Sequence, residues 1–225
     1  NLSSSENIEE VISSTREDTN LFDFNETKSL ISTTKPNVII NAAAKVGGIY
    51  ANNTKRTEFI LENLKINLNL LESCIPFPEI KIINLGSSCI YPLDAENPIK
   101  EDYFMSGKLE PTNSPYAMAK LTAIEMSDAM TKQYGHEIIN LMPTNLYGPK
   151  DNFDLNSSHV LPAMIRKFHD AKLKNSENIT LWGTGKPMRE FLYVDDLAEA
   201  IIFSLENQMP EHLYNVGTGI DVKII

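Results

Sequence analysis

The stretch Ile80–Pro92 reads IKIINLGSSCIYP. Its first part, Ile80–Leu85, is a short, mostly apolar run bounded by turn residues, the pattern of a strand buried on both faces. Its second part, Gly86–Pro92, is a turn that sets two serines and a cysteine at the carboxyl end of that strand. In an open α/β sheet, ligands bind there. Outward from this stretch the same pattern repeats. Val11–Ser13, Val38–Ala42 and Ile138–Met142 also read as buried strands. Glu26–Thr33, Thr54–Ser73 and Pro115–Tyr134 read as helices between them, and Thr54–Ser73 carries Phe59, Ile60, Leu64, Leu68 and Leu71 at helical spacing. Pro36 closes the first helix, and Pro76 and Pro78 fill the loop after the second. Strand–helix–strand repetition predicts right-handed crossovers and a doubly wound parallel sheet, an α/β fold of Rossmann type.

After Pro149 the pattern loosens. Val160–Lys174 predicts a helix, Ile179–Trp182 a short strand, and Asp195–Glu206 a helix capped by its aspartates. Asn1–Asn7 is polar and reads as disordered. No glycine precedes Gly47, so either the fold is of another kind or the first strand and glycine-rich turn of a dinucleotide fold have been cut away, in which case the sequence reads as a fragment.

The chain has 225 residues, 42% of them hydrophobic, enough for a substantial core. Its net charge of −10 argues against a nucleic-acid backbone partner, though not against a small anion held by a few local cations. The two cysteines, Cys74 and Cys89, have no metal-ligand spacing and fit a reducing cytoplasm. No apolar run reaches the length of a membrane span.

Tyr116 and Lys120 stand four apart at the start of a predicted helix, SPYAMAKLTAIEM. That spacing puts both side chains on one face. A phenol beside an ammonium can exchange a proton with an alcohol or alkoxide. Alone the pair also suits an ordinary helix surface. Here it follows a serine at a strand end. Ser87, Tyr116 and Lys120 together resemble the catalytic set of the extended short-chain dehydrogenase/reductases. NAAAKVGGIYANN (Asn41–Asn53), GSSCIYP, LEPTNSPYAMAK (Leu109–Lys120), MPTNLYGPKDNF (Met142–Phe153), SHVLPAMIRKFH (Ser158–His169) and WGTGKPMREFLYVDD (Trp182–Asp196) narrow the likeness. They resemble the branch that converts GDP-4-keto-6-deoxy-D-mannose to GDP-L-fucose. The likeness runs from about Thr15 to Gly219.

The resemblance implies 3,5-epimerisation followed by NADPH-dependent reduction of the 4-keto group, and no metal. Tyr116 would protonate the carbonyl oxygen, Ser87 would hydrogen-bond it, and Lys120 would lower the phenol's pKa and hold the nicotinamide ribose. Cys89 would be the epimerisation base, its pKa lowered by nearby positive charge, and His159 the acid. Cofactor contacts fall on Arg16, Leu85, Gly86, Ser87, Ser88, Lys120, Pro143, Thr144, Asn145, Leu146 and His159. Arg16, in STRED, would accommodate a 2′-phosphate and so favour NADP(H). Lys167, Trp182 and Arg189 would bind the GDP-sugar. The resemblance places an epimerase/dehydratase-type domain over residues 1–219. Residues 1–146 of it would serve mainly the nucleotide cofactor, 147–189 would begin the substrate part, and 220–225 would be a cut end. It also implies a homodimer in the complete enzyme. Two rivals stand beside this reading: another sugar-nucleotide epimerase or dehydratase, and a non-catalytic fragment of the fold.

Overall fold

A computed structural model describes residues 8–224. The stretch predicted as disordered, residues 1–7, lies outside the described residues. The main sheet consists of β1 (Val38–Asn41), β2 (Lys81–Leu85), β3 (Ile138–Pro143) and β6 (Leu213–Val216), all parallel and in that order. Helices α1 (Phe24–Thr34), α3 (Arg56–Cys74) and α4 (Ser114–Tyr134) cover one face. There Ile31, Leu70, Leu71, Ile82, Met130 and Ile138 form one core. On the other face Ile83, Ile139 and Leu141 pack with Leu197 and Ile201 of α6 (Val194–Glu206). Ile82 and Ile83 are consecutive and belong to different cores, because strand side chains alternate between faces. Both faces are covered, and this is why the strands read as continuous apolar runs.

β1, β2 and β3 each carry an asparagine at the same level. Asn41, Asn84 and Asn140 are register partners across β1, β2 and β3. Asn41 Nδ2 donates to Asn84 Oδ1 (2.9 Å) and to Asn67 Oδ1 of α3 (3.0 Å). Asn84 Nδ2 donates to Asn140 Oδ1 (2.9 Å), and Asn140 Nδ2 to the His212 carbonyl (3.1 Å). Asn63 continues the chain to the loop after β1, exchanging hydrogen bonds with the Lys45 backbone at 2.9 and 3.0 Å. Every one of these side chains is buried.

A second, smaller sheet pairs β4 (Asn145–Tyr147) with β5 (Met188–Tyr193) in parallel, and β5 with β7 (Asp221–Lys223) antiparallel. Two helices complete the description, α2 (Ile49–Thr54) and α5 (Val160–Leu173).

Several sequence expectations are corrected. Val11–Ser13 is not a strand: it is exposed, with Val11 and Ile12 at 41% and 53%, and it joins no ladder. Ile179–Trp182 is not a strand either, and the strand of this region is β5. A short apolar run becomes a strand only where a neighbouring edge takes its backbone groups. The helix predicted over Thr54–Ser73 is α3, which starts two residues later, after Lys55; the short α2 before it was not predicted. Asp195 and Asp196 do not cap α6. The cap position is Tyr193, and the two carboxylates lie in the first turn, where they complement the helix dipole.

Candidate active site

The carboxyl ends of β2 and β3 and the start of α4 converge on one cluster. At Gly86 the chain leaves β2 so close to β3 that a Cβ would lie 2.0 Å from Met142 Cε. Ser87 then opens a 3-10 turn, Ser88–Ile90, and its hydroxyl accepts from the Cys89 amide at 3.4 Å. The same hydroxyl favours the charged forms of both the Tyr116 phenol and the Cys89 thiol, so the three side chains lie near one another. Pro115 at the helix entrance fixes the first turn of α4, and Glu110 takes the amides of Thr112 and Asn113 just ahead of it. The Tyr116 ring meets Phe59 of α3 edge-on, centroids 6.3 Å apart.

Lys120 is 2% exposed and donates from Nζ to the Leu85 carbonyl at 2.6 Å, so it is tied to the last residue of β2. Its Nζ lies 5.9 Å from the Tyr116 ring centroid. Burial lowers its pKa to about 8, opposed by the nearby Cys89. Burial pushes the Cys89 thiol up to about 11, although Ser87 and Lys120 pull the other way. The Tyr116 phenol also rises above its ordinary value through burial. The sequence reading has Lys120 lowering the phenol and nearby positive charge lowering the thiol; in the folded protein desolvation outweighs the single ammonium.

His159 is the N-cap residue of α5, exposed, and its side chain makes no capping bond. Desolvation keeps its pKa low, offset by Asp151. Among the described residues no hydrogen bond joins His159 to Cys89. Its segment is nevertheless fixed to the cluster's side of the molecule. The Gly48 amide donates to the Ser157 carbonyl (2.9 Å), and a Cβ on Gly47 would lie 3.1 Å from the Phe59 ring that meets Tyr116.

Pro143 ends β3, and Asn145 and Leu146 begin β4. Asn145 spends its side-chain amide on the Glu190 carbonyl at 2.9 Å. Thr144 Oγ1 and Ser158 Oγ are buried with no hydrogen-bond partner, and Lys120 has donors to spare. Spare polar capacity at the carboxyl edge of the sheet fits the nicotinamide half of a dinucleotide. The remaining expected positions are scattered. Arg16 is exposed and lies 4.9 Å from the Phe22 ring centroid. Lys167 and Trp182 do meet, with Nζ 4.9 Å from the ring centroid and bonded to the Thr180 carbonyl at 3.0 Å. Arg189 instead turns back on the Met188 carbonyl at 2.7 Å. Among the described residues no group of acidic, histidine and cysteine side chains could hold a metal ion.

The model of the NAD dependent epimerase/dehydratase family matches residues 1–217. The chain belongs to that family. It is 46% identical over 216 residues to a GDP-L-fucose synthase of Sinorhizobium fredii, covering 96% of this chain and 69% of that protein. It is 50% identical over 190 residues to a probable GDP-L-fucose synthase 1 of Oryza sativa, covering 84% of this chain and 58% of that one. Among solved structures, a GDP-L-fucose synthetase of Naegleria fowleri bound to NADP superposes with a TM-score of 0.79 at 31% identity, covering 90% of this chain and 66% of that one. The chain thus spans between 58% and 69% of the length of these two curated relatives.

Missing from the sequence reading were the asparagines that join the strands and the contact of Gly48 with the His159 segment. A signal for the first was present: one asparagine closes or interrupts each apolar run, in VIIN, IINL and IINL again. Nothing in the sequence places Gly48 beside Ser158.

Proposed function

We propose that this chain carries the chemistry of GDP-L-fucose synthesis, in which GDP-4-keto-6-deoxy-D-mannose is inverted at the carbons flanking its ketone and then reduced. One observation carries the reading: Ser87, bonded through its hydroxyl to the Cys89 amide, stands near enough to both the Tyr116 phenol and the Cys89 thiol to favour their charged forms, beside a buried Lys120. A ketone reductase has use for the phenol, hydroxyl and ammonium. The thiol suits a substrate whose flanking C–H protons must also move.

In the inversion, Cys89 takes a proton from carbon, and the electron pair moves onto the carbonyl oxygen, where Ser87 and Tyr116 stabilise it. His159 returns a proton to the opposite face of that carbon. The bound nicotinamide cofactor, NADP(H), supplies the hydride of the reduction. Tyr116 donates its proton to the oxygen as charge develops, and its raised pKa keeps that proton on the phenol until then. Lys120 offsets the charge and has donors left for a ribose. Arg16 would meet the 2′-phosphate, and Lys167, Trp182 and Arg189 would take the GDP-sugar. Residues 1–146 serve the cofactor and 147–189 begin the substrate part. The complete enzyme would pair as a homodimer through the outer sides of α3 and α4, where Leu61 and Met118 are exposed. It would work in the cytoplasm, where its two free thiols stay reduced, without membrane or nucleic-acid partners. Among the described residues no helix is long and apolar enough to cross a membrane.

The test separates the two halves. In D₂O, Cys89→Ser abolishes deuterium entry at the flanking carbons while NADPH oxidation persists on an already inverted ketone. Tyr116→Phe slows that oxidation by about a hundredfold or more, the scale of a lost general acid. Equal loss of both activities in Cys89→Ser would refute the assignment of Cys89 as base.

A further inference from the structure

The turn that carries Ser87 and Cys89 is fastened at its far end. Tyr91 follows the 3-10 turn directly, is 4% exposed, and packs with Ile90, Leu121, Ile124 and Leu213. Its hydroxyl donates to Asn215 Oδ1 at 2.6 Å. Burial and Glu101 push the phenol's pKa up, so it keeps the proton it donates. Asn215 lies on β6, with β3 between it and β2. It is itself held on two more sides. Its Nδ2 donates to the Ile99 carbonyl at 3.1 Å, and its amide donates to Glu101 Oε1 at 2.8 Å.

We propose that Tyr91 and Asn215 are positioning residues for Cys89, a clamp that holds the turn so that the thiol stays seated against the Ser87 hydroxyl. Tyr116 and Lys120 do not depend on this clamp. Both ride on α4, and Lys120 is tied to Leu85, ahead of the turn. Releasing the clamp therefore disturbs proton movement at carbon more than reduction. This second consequence rests on the reading of Cys89 as the base.

The test uses Tyr91→Phe, Asn215→Leu and the double variant. Cys89 labelling by iodoacetamide is followed by mass spectrometry at about pH 8.5, near the free thiol's own pKa. Cys74, 0% exposed, is the internal control. Each single variant is expected to speed Cys89 labelling by about fivefold, the worth of one ordinary hydrogen bond. The double variant should match the singles, because two halves of one clamp are lost only once. Unchanged Cys89 labelling overturns the proposal. So does additive behaviour, or labelling of Cys74 in parallel, which reports general loosening. A second arm measures deuterium entry in D₂O against reduction of an inverted ketone. Loss of exchange by about fivefold with reduction nearly intact supports the clamp, and equal loss of both overturns it. Labelling needs no substrate. Absence of exchange in the unaltered chain would therefore remove the catalytic reading of Cys89 and leave the labelling result to judge the clamp.

Discussion

Lys120 is caught between two demands. Burial beside Tyr116 and Cys89 lowers its pKa to about 8, while its role calls for a charge. Below that value it is a cation; as pH rises through it the proton leaves and the ammonium no longer offsets negative charge at the site. Reduction is therefore expected to be level below about pH 7 and to fall above about pH 8, as for any group needed in its protonated form. Lys120→Met should be slower and lack that limb. A pH profile of kcat/KM for both forms checks this, and an unchanged limb in the variant would assign it elsewhere. The sequence named Ser87, Cys89, Tyr116 and Lys120 together through the family resemblance, while position alone put Ser87 and Cys89 at one strand end and Tyr116 and Lys120 on one helix face. It had the direction of the pKa shifts wrong. Spacing shows which groups are neighbours but not how much water the fold removes from them.

Between elements, the contact of the glycine loop after β1 with the segment before α5 governs where His159 stands. The Gly48 amide is bonded to Ser157, and a Cβ at Gly48 would fall 2.4 Å from the Ser158 carbonyl oxygen. Gly48→Ala forces backbone apart. It should slow deuterium exchange at the substrate carbon that His159 is proposed to serve by about tenfold or more, the sensitivity expected for a misplaced catalytic group. Reduction should change much less, since Ser87, Tyr116 and Lys120 hang from β2 and α4. NMR of the exchanged sugar beside an NADPH absorbance assay tests the split. At this scale the sequence located β1, β2, β3, α4 and α5 well, and α6 to within a residue. It placed strands at Val11–Ser13 and Ile179–Trp182, and it missed β4 to β7. Apart from β5, which has six residues, the errors share a cause: a strand of three or four residues is defined by its partner's edge more than by its own composition.

Across the whole molecule, the asparagine chain from Asn63 through Asn67, Asn41, Asn84 and Asn140 joins α3 to three strands of the main sheet. A slip of one residue between strands would turn an amide toward the opposite, apolar core, so the ladder specifies register as well as stability. Asn84→Leu leaves Asn140 Oδ1 with only a long contact to Ser127 at 3.5 Å. It is expected to cost about 1–3 kcal/mol for each buried polar atom left unpaired. Urea unfolding should show a lower midpoint at unchanged slope, and no change would mean the ladder contributes nothing net.

By itself the sequence determined the class of fold and the cluster at the end of β2. Continuous apolar runs between helical periods leave a parallel sheet covered on both faces, and strand ends and helix faces dictate which side chains can meet locally. Only the tertiary structure decided the rest: the joining of Asn41, Asn84 and Asn140, the seat of His159, the fastening of Tyr91 to Asn215 and the protonation of the buried groups. Each depends on chain segments far apart in sequence and on the solvent excluded when they pack, and no local pattern records either.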